Sequence, residues 1–256
     1  MKLRVVIITS LILTLGACAI GKSPYSDAEV DQLGIKAYED VKKNLPTSKD
    51  QQRTALVRCV ADNLIAALPP EVRYQWEVNL FADDKVNAFA VPGGKIGVHE
   101  GLFKAAQTEA QLAAVMGHEI SHVLQGHSKK RLTTEFYKNV GLTIATILVA
   151  TSDKSSSEKN LIMATMGLGS IYGVMLPFNR SQESEADIEG QMLMKQAGYN
   201  PEAAIELWEN MRRGKGENEP FEFFSTHPSS ETRIKDLRRN LKELEKFPTG
   251  RRKSNC

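Results

Sequence analysis

The sequence predicts an α+β fold, mostly α-helical, with a small antiparallel sheet beside one central helix. Three observations carry that reading. Helical apolar patterns lie on both sides of a single stretch of strand-like alternation between Gln75 and His99. Few other segments alternate in that way. Shortly after the alternating stretch comes His118-Glu119-Ile120-Ser121-His122, an HExxH string within a run of good helix formers.

The chain begins as a secretory signal does. Lys2 and Arg4 form a short basic region, and Val5 to Leu15 form an apolar run too short for a bilayer span, which takes about 20 residues. The next residues, Leu15-Gly16-Ala17-Cys18, resemble the lipobox of bacterial lipoproteins. That resemblance implies a signal peptide over 1–17, acylation of Cys18 as a membrane anchor, and a periplasmic location. Ala19 in place of an aspartate resembles an outer-membrane address. Loss of residues 1–17 removes two basic residues and no acidic one, so the 33 Lys and Arg fall level with the 31 Asp and Glu. A balanced chain without a clustered basic face argues against a nucleic-acid partner. Residues 18–26 read as a linker, 27–247 as one domain and 248–256 as a basic flexible tail. Cys59 and Cys256 could pair in an oxidising compartment, but sequence leaves open whether their Cα atoms come within bridging distance.

Two helices follow the linker: Asp27 to Asn44, ended by Pro46, and Ser48 to Leu68, ended by Pro69-Pro70. In the second, Leu56, Val60, Leu64 and Leu68 form a core-facing stripe. Trp76, Val78, Leu80 and Ala82 alternate with mostly polar neighbours, as a strand does. Asn87 to Val91 reads as a second strand, Pro92-Gly93-Gly94 as a tight turn, and Lys95 to His99 as a third. An edge strand can pair with an extended peptide, which makes the backbone of Asn87, Ala88 and Phe89 a candidate peptide contact. The side chains of Phe89 and Val91 read as ordinary sheet core. Thr108 is a reasonable N-cap for the helix that carries the HExxH string. Beyond it, Val140–Thr151 and Leu161–Phe178 are uncharged and read as a helical hairpin packed around that helix.

Histidines four apart share one helix face, with Cβ atoms roughly 5–6 Å apart. Both imidazoles of His118 and His122 can therefore reach one small cation, while Glu119 addresses a water beside it. Catalytic zinc takes three protein ligands and keeps one position open. An HExxHxxGxxH scheme fails, because Gln125 and Ser128 stand where its glycine and third histidine belong. His127 then reads as a helix-end residue. The other scheme draws a glutamate from a separate helix, and Asn179-Arg180-Ser181-Gln182-Glu183-Ser184-Glu185-Ala186-Asp187 supplies one. Ser181 could cap that helix. Glu183 is the candidate third ligand and Asp187, four residues on, the acceptor for the free N–H of a ligating histidine. Glu185 reads as a solvated acid. Glu183 has a plainer reading too, since acidic residues favour helix N-termini.

HEISH followed by ESEAD, with Asn87-Ala88-Phe89-Ala90 and Pro92-Gly93-Gly94 upstream, resembles metallopeptidase family forty-eight over roughly Asp83 to Leu237. That family includes CAAX prenyl proteases, a membrane-embedded heat-shock protease and soluble periplasmic lipoproteins of envelope quality control. The resemblance implies a zincin-like (gluzincin) domain with one zinc ion per chain. It implies His118, His122 and Glu183 as ligands, Glu119 as general base, and Asp187 as partner of a ligand. The lipobox and the short glycine-containing apolar stretches depart from the membrane-embedded members.

Thr226-His227-Pro228, with Arg233 in the following helix, also resembles a family pattern. On a loop that could fold across the cleft, His227 has three readings. It could donate to the oxyanion of a tetrahedral intermediate, worth about 2.7–4 kcal/mol. It could occupy the open zinc position and silence the site, or it could be an ordinary histidine at a helix entry. Arg233 reads as an anchor for this loop through a carboxylate. The activity expected is zinc-dependent endoproteolysis of unfolded or misassembled envelope proteins. Its rival is a zinc-containing periplasmic chaperone with little proteolysis. The oligomeric state is not legible.

Overall fold

The computed structural model describes residues 23–72, 74–150, 155–158, 178–213, 223–228 and 231–256, the side chains of 139–150 excepted. The signal, Cys18, the loop over 214–222, Ser229 and Ser230, and all of Leu161–Phe178 except Phe178 lie outside the described residues. No described helix is long and apolar enough to cross a membrane.

Helix α1 spans Asp27–Asn44, opened by Ser26 in a reciprocal capping box with Glu29. Helix α2 spans Gln51–Ala66, with Asp50 as its N-cap, so it starts later than the proline-to-proline reading placed it. Strands β1 (Glu77–Phe81), β2 (Ala88–Val91) and β3 (Lys95–His99) follow, then a 3₁₀ turn over Glu100–Lys104. Helix α3 spans Glu109–Leu124, capped by the predicted Thr108, and α4 spans His127–Ala150. The apolar stretch from Val140 is therefore the end of a longer helix. Helices α5 (Arg180–Gln196), α6 (Ala203–Arg213), α7 (Phe223–Thr226) and α8 (Glu231–Leu244) complete the described elements.

The sheet has the order β1-β3-β2 and is mixed rather than antiparallel. β2 and β3 form the expected hairpin, but β1 lies parallel to β3, with Glu77 opposite Lys95 and Phe81 opposite His99. Alternation reports which face a residue takes and not the direction of its strand. Direction is set by residues 82–87, which carry the chain from β1 past the end of β3. There Gly101 donates its N–H to the Asp83 carbonyl, so close to Asp84 that a Cβ would collide with its backbone. The hairpin turn needs two left-handed residues, supplied by Gly93 (φ 85°) and Gly94 (φ 73°).

Alternation then sorts the two faces. Phe81 and Phe89 stack on each other against Tyr38 of α1, over a Gly97 that leaves room for the Phe89 ring. Leu80, Ala88, Ile96 and Val98 face the other way, into a core shared with Val57, Val60 and Leu64 of α2 and Leu112 to Met116 of α3. α3 is buried along nearly its whole length, and α5 is its most extensive neighbour. The two helices cross at Gly117 and Gly190, where a Cβ on Gly190 would sit 3.0 Å from the His118 nitrogen. That crossing sets the distance between the HExxH string and the acidic face of α5.

The tail read as flexible is instead held down. Cys256 is bonded to Cys59 of α2, with Cα atoms 5.6 Å apart. The Asn63 amide spans the Tyr199 hydroxyl and the Ser254 carbonyl, and Arg252 lies over the Tyr199 ring while pairing with Glu109 at 2.9 Å. The bond closes a loop with a sequence separation of 197. Replacing Cys256 by Ser is expected to lower stability by about 2–4 kcal/mol. A denaturant titration with and without reductant reads this directly, and coincident midpoints would show that the bridge contributes nothing.

Candidate metal centre

The α3–α5 crossing brings His118, His122, Glu183 and His227 together, each buried, with one potential ligand atom apiece, all within 4.8 Å of one another. Sequence placed the first three on two helices, and the structure joins them. His118 Nε2 lies 3.1 Å from His122 Nε2 and 3.6 Å from Glu183 Oε2, and His122 Nε2 lies 3.5 Å from Glu183 Oε1. The fourth member arrives from α7, with His227 Nδ1 3.2 Å from His118 Nε2 and 3.1 Å from Glu183 Oε1. Phe223 stacks on the His227 ring and Phe178 on the His122 ring, so neither imidazole is free to swing.

The helix carrying Glu183 begins two residues earlier than a Ser181 cap would place it. Asn179 is its N-cap, in a capping box with Gln182. Glu183 and Asp187 then fall on the face toward α3. His118 Nδ1 lies 3.0 Å from Asp187 Oδ1, and that nearby negative charge favours a proton on Nδ1, with the Nε2 lone pair facing the other ligand atoms. His122 directs its Nδ1 at His127 Nδ1, at 2.8 Å. Two imidazole lone pairs 3.1 Å apart repel unless a cation sits between them. A metal with Zn–N distances of about 2.0–2.1 Å in tetrahedral coordination has ligand atoms about 3.3–3.4 Å apart. The separations of 3.1–3.6 Å match that edge length, and the donor set of imidazoles and carboxylate suits such an ion.

Charge is distributed unevenly around the centre. Arg233, almost fully buried, forms a bidentate pair with Asp187 (2.6 and 2.7 Å), reaches Glu183 Oε2 at 2.5 Å and lies 3.8 Å over the Trp208 ring. Burial alone would raise both carboxyls. At Asp187 the Arg233 charge and hydrogen bonds override it and bring the pKa down to about 2. At Glu183 the surrounding imidazoles of His122, His227 and His118, with the Arg233 charge, outweigh burial and hold it well below the carboxylate range. Glu119 goes the other way, pushed up by burial despite the nearby His227 and His118. Burial drives His122 down to about 2, so its imidazole is neutral and able to coordinate. Glu119 Oε1 lies 3.3 Å from His227 Nε2, and its Oε2 accepts from the Ala90 N–H of β2 at 3.4 Å.

Among the described residues β2 is an edge strand, and it lies against α3. Just before it, the Asn87 carbonyl accepts from the His99 N–H, and within it the Phe89 ring packs on the face toward Tyr38. The outward backbone therefore belongs to Ala88 and Ala90. Ser121 donates to its own helix at the Gly117 carbonyl and takes no part in the centre.

Two residues escaped the sequence reading. His127, taken for a helix end, is fully buried against His122, and Glu185, taken for a solvated acid, pairs with the other His127 nitrogen at 3.1 Å. The available signal was Gly126, whose φ of 62° ends α3 and folds the next residue back on it.

A helix presenting HExxH to a glutamate of a second, antecedent-capped helix defines a metal-dependent peptidase with a zincin-like domain. This chain belongs to Peptidase family M48, whose pattern matches residues 47–241. It is 36% identical over 183 residues to the mitochondrial metalloendopeptidase OMA1 of Schizosaccharomyces pombe, covering 71% of this chain and 50% of that protein. It is 28% identical over 218 residues to the beta-barrel assembly-enhancing protease of Escherichia coli K12, covering 83% of this chain and 44% of that protein. The chain spans about half the length of the curated relatives it matches.

Arg233 is a buried guanidinium shared by two buried carboxylates. Arg233→Met keeps much of the volume and is expected to cost about 3–5 kcal/mol, because Asp187 and Glu183 lose their buried partner. Denaturant midpoints of the metal-free wild type and variant measure that loss.

Proposed function

We propose that this chain is a zinc-dependent endopeptidase that cleaves unfolded or misassembled proteins of the cell envelope, anchored through Cys18 to the periplasmic face of a membrane, the outer membrane in the preferred reading. The buried convergence of His118, His122 and Glu183 beside Glu119 carries the chemistry. The compartment rests on the signal and lipobox over 1–18, and the substrate class on those together with the name borne by the Escherichia coli relative.

His118, His122 and Glu183 hold the ion in this reading. Bound zinc polarises the scissile carbonyl and lowers the pKa of a nearby water toward about 7. Glu119 takes the proton from that water and returns it to the leaving amine. Burial pushes its pKa up, which makes the carboxylate a stronger proton acceptor. Ala88 and Ala90 offer backbone to an extended substrate, and the Ala90 N–H aligns Glu119 in the meantime. Asp187 keeps the His118 lone pair on the metal side, with Arg233 holding Asp187 charged.

His227 is the gate. Its Nδ1 would join the other three ligand atoms around a bound ion, where a catalytic site keeps a position open, and its Nε2 stands 3.3 Å from Glu119 Oε1. Substrate entry must displace it, and α7 moves with it.

Two substitutions test this. Glu119→Gln is expected to retain zinc and to lower cleavage of an unfolded outer-membrane protein by about 10²–10⁴-fold. Undiminished holdase activity in both forms, with no cleavage by the wild type, would turn the assignment toward a chaperone. His227→Ala is expected to raise the cleavage rate at unchanged zinc content. A fall in rate with zinc retained would instead give His227 the oxyanion role.

A further inference from the structure

We propose that Glu185 and His127 form a relay that locks His122 in its metal-binding tautomer, which makes His127 a positioning residue of the peptidase. The inference rests on His122 being a ligand.

The relay is fixed by the chemistry of its outer end. Glu185 Oε2 lies 3.1 Å from His127 Nε2, and a carboxylate only accepts, so His127 carries its proton on Nε2. A neutral His127 then has a lone pair on Nδ1. That lone pair faces His122 Nδ1 at 2.8 Å, and the contact is a hydrogen bond only if His122 donates. With the proton of His122 on Nδ1, its Nε2 is left bare toward His118 and Glu183. The opposite tautomer would turn an N–H into the metal site. One surface carboxylate thereby selects, through a fully buried imidazole, the state of a ligand.

The two histidine ligands are thus held by different devices. His118 has a buried carboxylate, Asp187, directly on Nδ1. His122 has an imidazole interposed, and its carboxylate stands at the protein surface, where Lys130 approaches Glu185 at 3.8 Å. Stacking on Phe178, with ring centroids 4.0 Å apart, fixes the plane of the His122 ring but not which of its two edges faces the centre, since a half-turn about Cβ–Cγ keeps that plane. The hydrogen bond to His127 supplies that missing constraint. All three carboxylates involved, Glu183, Glu185 and Asp187, come from the first two turns of α5.

The test measures zinc affinity of the full chain by competition with a chromophoric chelator, and the d–d absorption of cobalt-substituted protein. His127→Phe keeps a ring but offers no acceptor, and zinc affinity is expected to fall by about 10–100-fold with an altered cobalt spectrum. His127→Asn places an amide oxygen near the Nδ1 position and is expected to recover most of that loss. A role limited to packing predicts the reverse order, since Phe fills the space and Asn does not. Glu185→Ala, at a side chain 41% exposed, interrupts the relay without touching the core and should lower affinity by a smaller factor. It decides the matter if the His127 variants do not fold. Wild-type affinity and spectrum in folded His127→Phe, or in Glu185→Ala alone, overturn the relay. Wild-type affinity in His122→Ala would instead overturn the assignment of His122 as a ligand.

Discussion

Everything at the metal centre depends on how closely α3 and α5 approach at Gly117 and Gly190. Neither glycine has a positive φ, so neither is needed for its backbone conformation. Each is there for its missing side chain. At that separation short acidic side chains on α5 reach imidazoles on α3 directly, and no longer residue is required to bridge the helices. The sheet backs the same helix from the other side, where β2 brings the Ala90 N–H to Glu119. Two helices and an edge strand converge on a single turn of α3.

Within that turn, equivalent side chains acquire different chemistry from different neighbours. Glu183 and Asp187 share the Arg233 guanidinium and remain ionised although buried. Glu119 lies on the side away from that guanidinium's hydrogen bonds and is pushed up by burial. Carboxylates whose environments drive their pKa values apart can divide the work of ligand and base. Arg233 also covers Trp208, and a desolvated contact of that kind is worth about 2 kcal/mol. The arginine that fixes the charges of the centre therefore also packs α8 against α6.

Most of this was legible in sequence where local periodicity carried it. Helix faces placed His118 with His122 and Glu183 with Asp187, because the 3.6-residue repeat makes such pairs neighbours. Strand alternation placed Phe89 on one face and Ala88 on the other. The parallel pairing of β1 was hidden because it depends on the path of residues 82–87 rather than on any strand's own pattern. His127 and Glu185 were hidden for a related reason. Their partnership spans 58 positions and requires a left-handed turn at Gly126 that hydropathy does not record. The ordered tail depended on a cysteine pairing that spacing alone leaves undetermined.

The bridge between Cys59 and Cys256 bears on what happens to a peptidase chain once its backbone is cut. A single backbone cut anywhere between those positions yields two pieces that remain one covalent molecule. The region so enclosed contains the sheet, both metal-bearing helices and the loops that join them. A nicked molecule therefore keeps His118 and Glu183 in the same particle, even where the cut falls between them. Autolysis in a loop need not scatter the active site, and in an oxidising compartment such damage would be visible only after reduction.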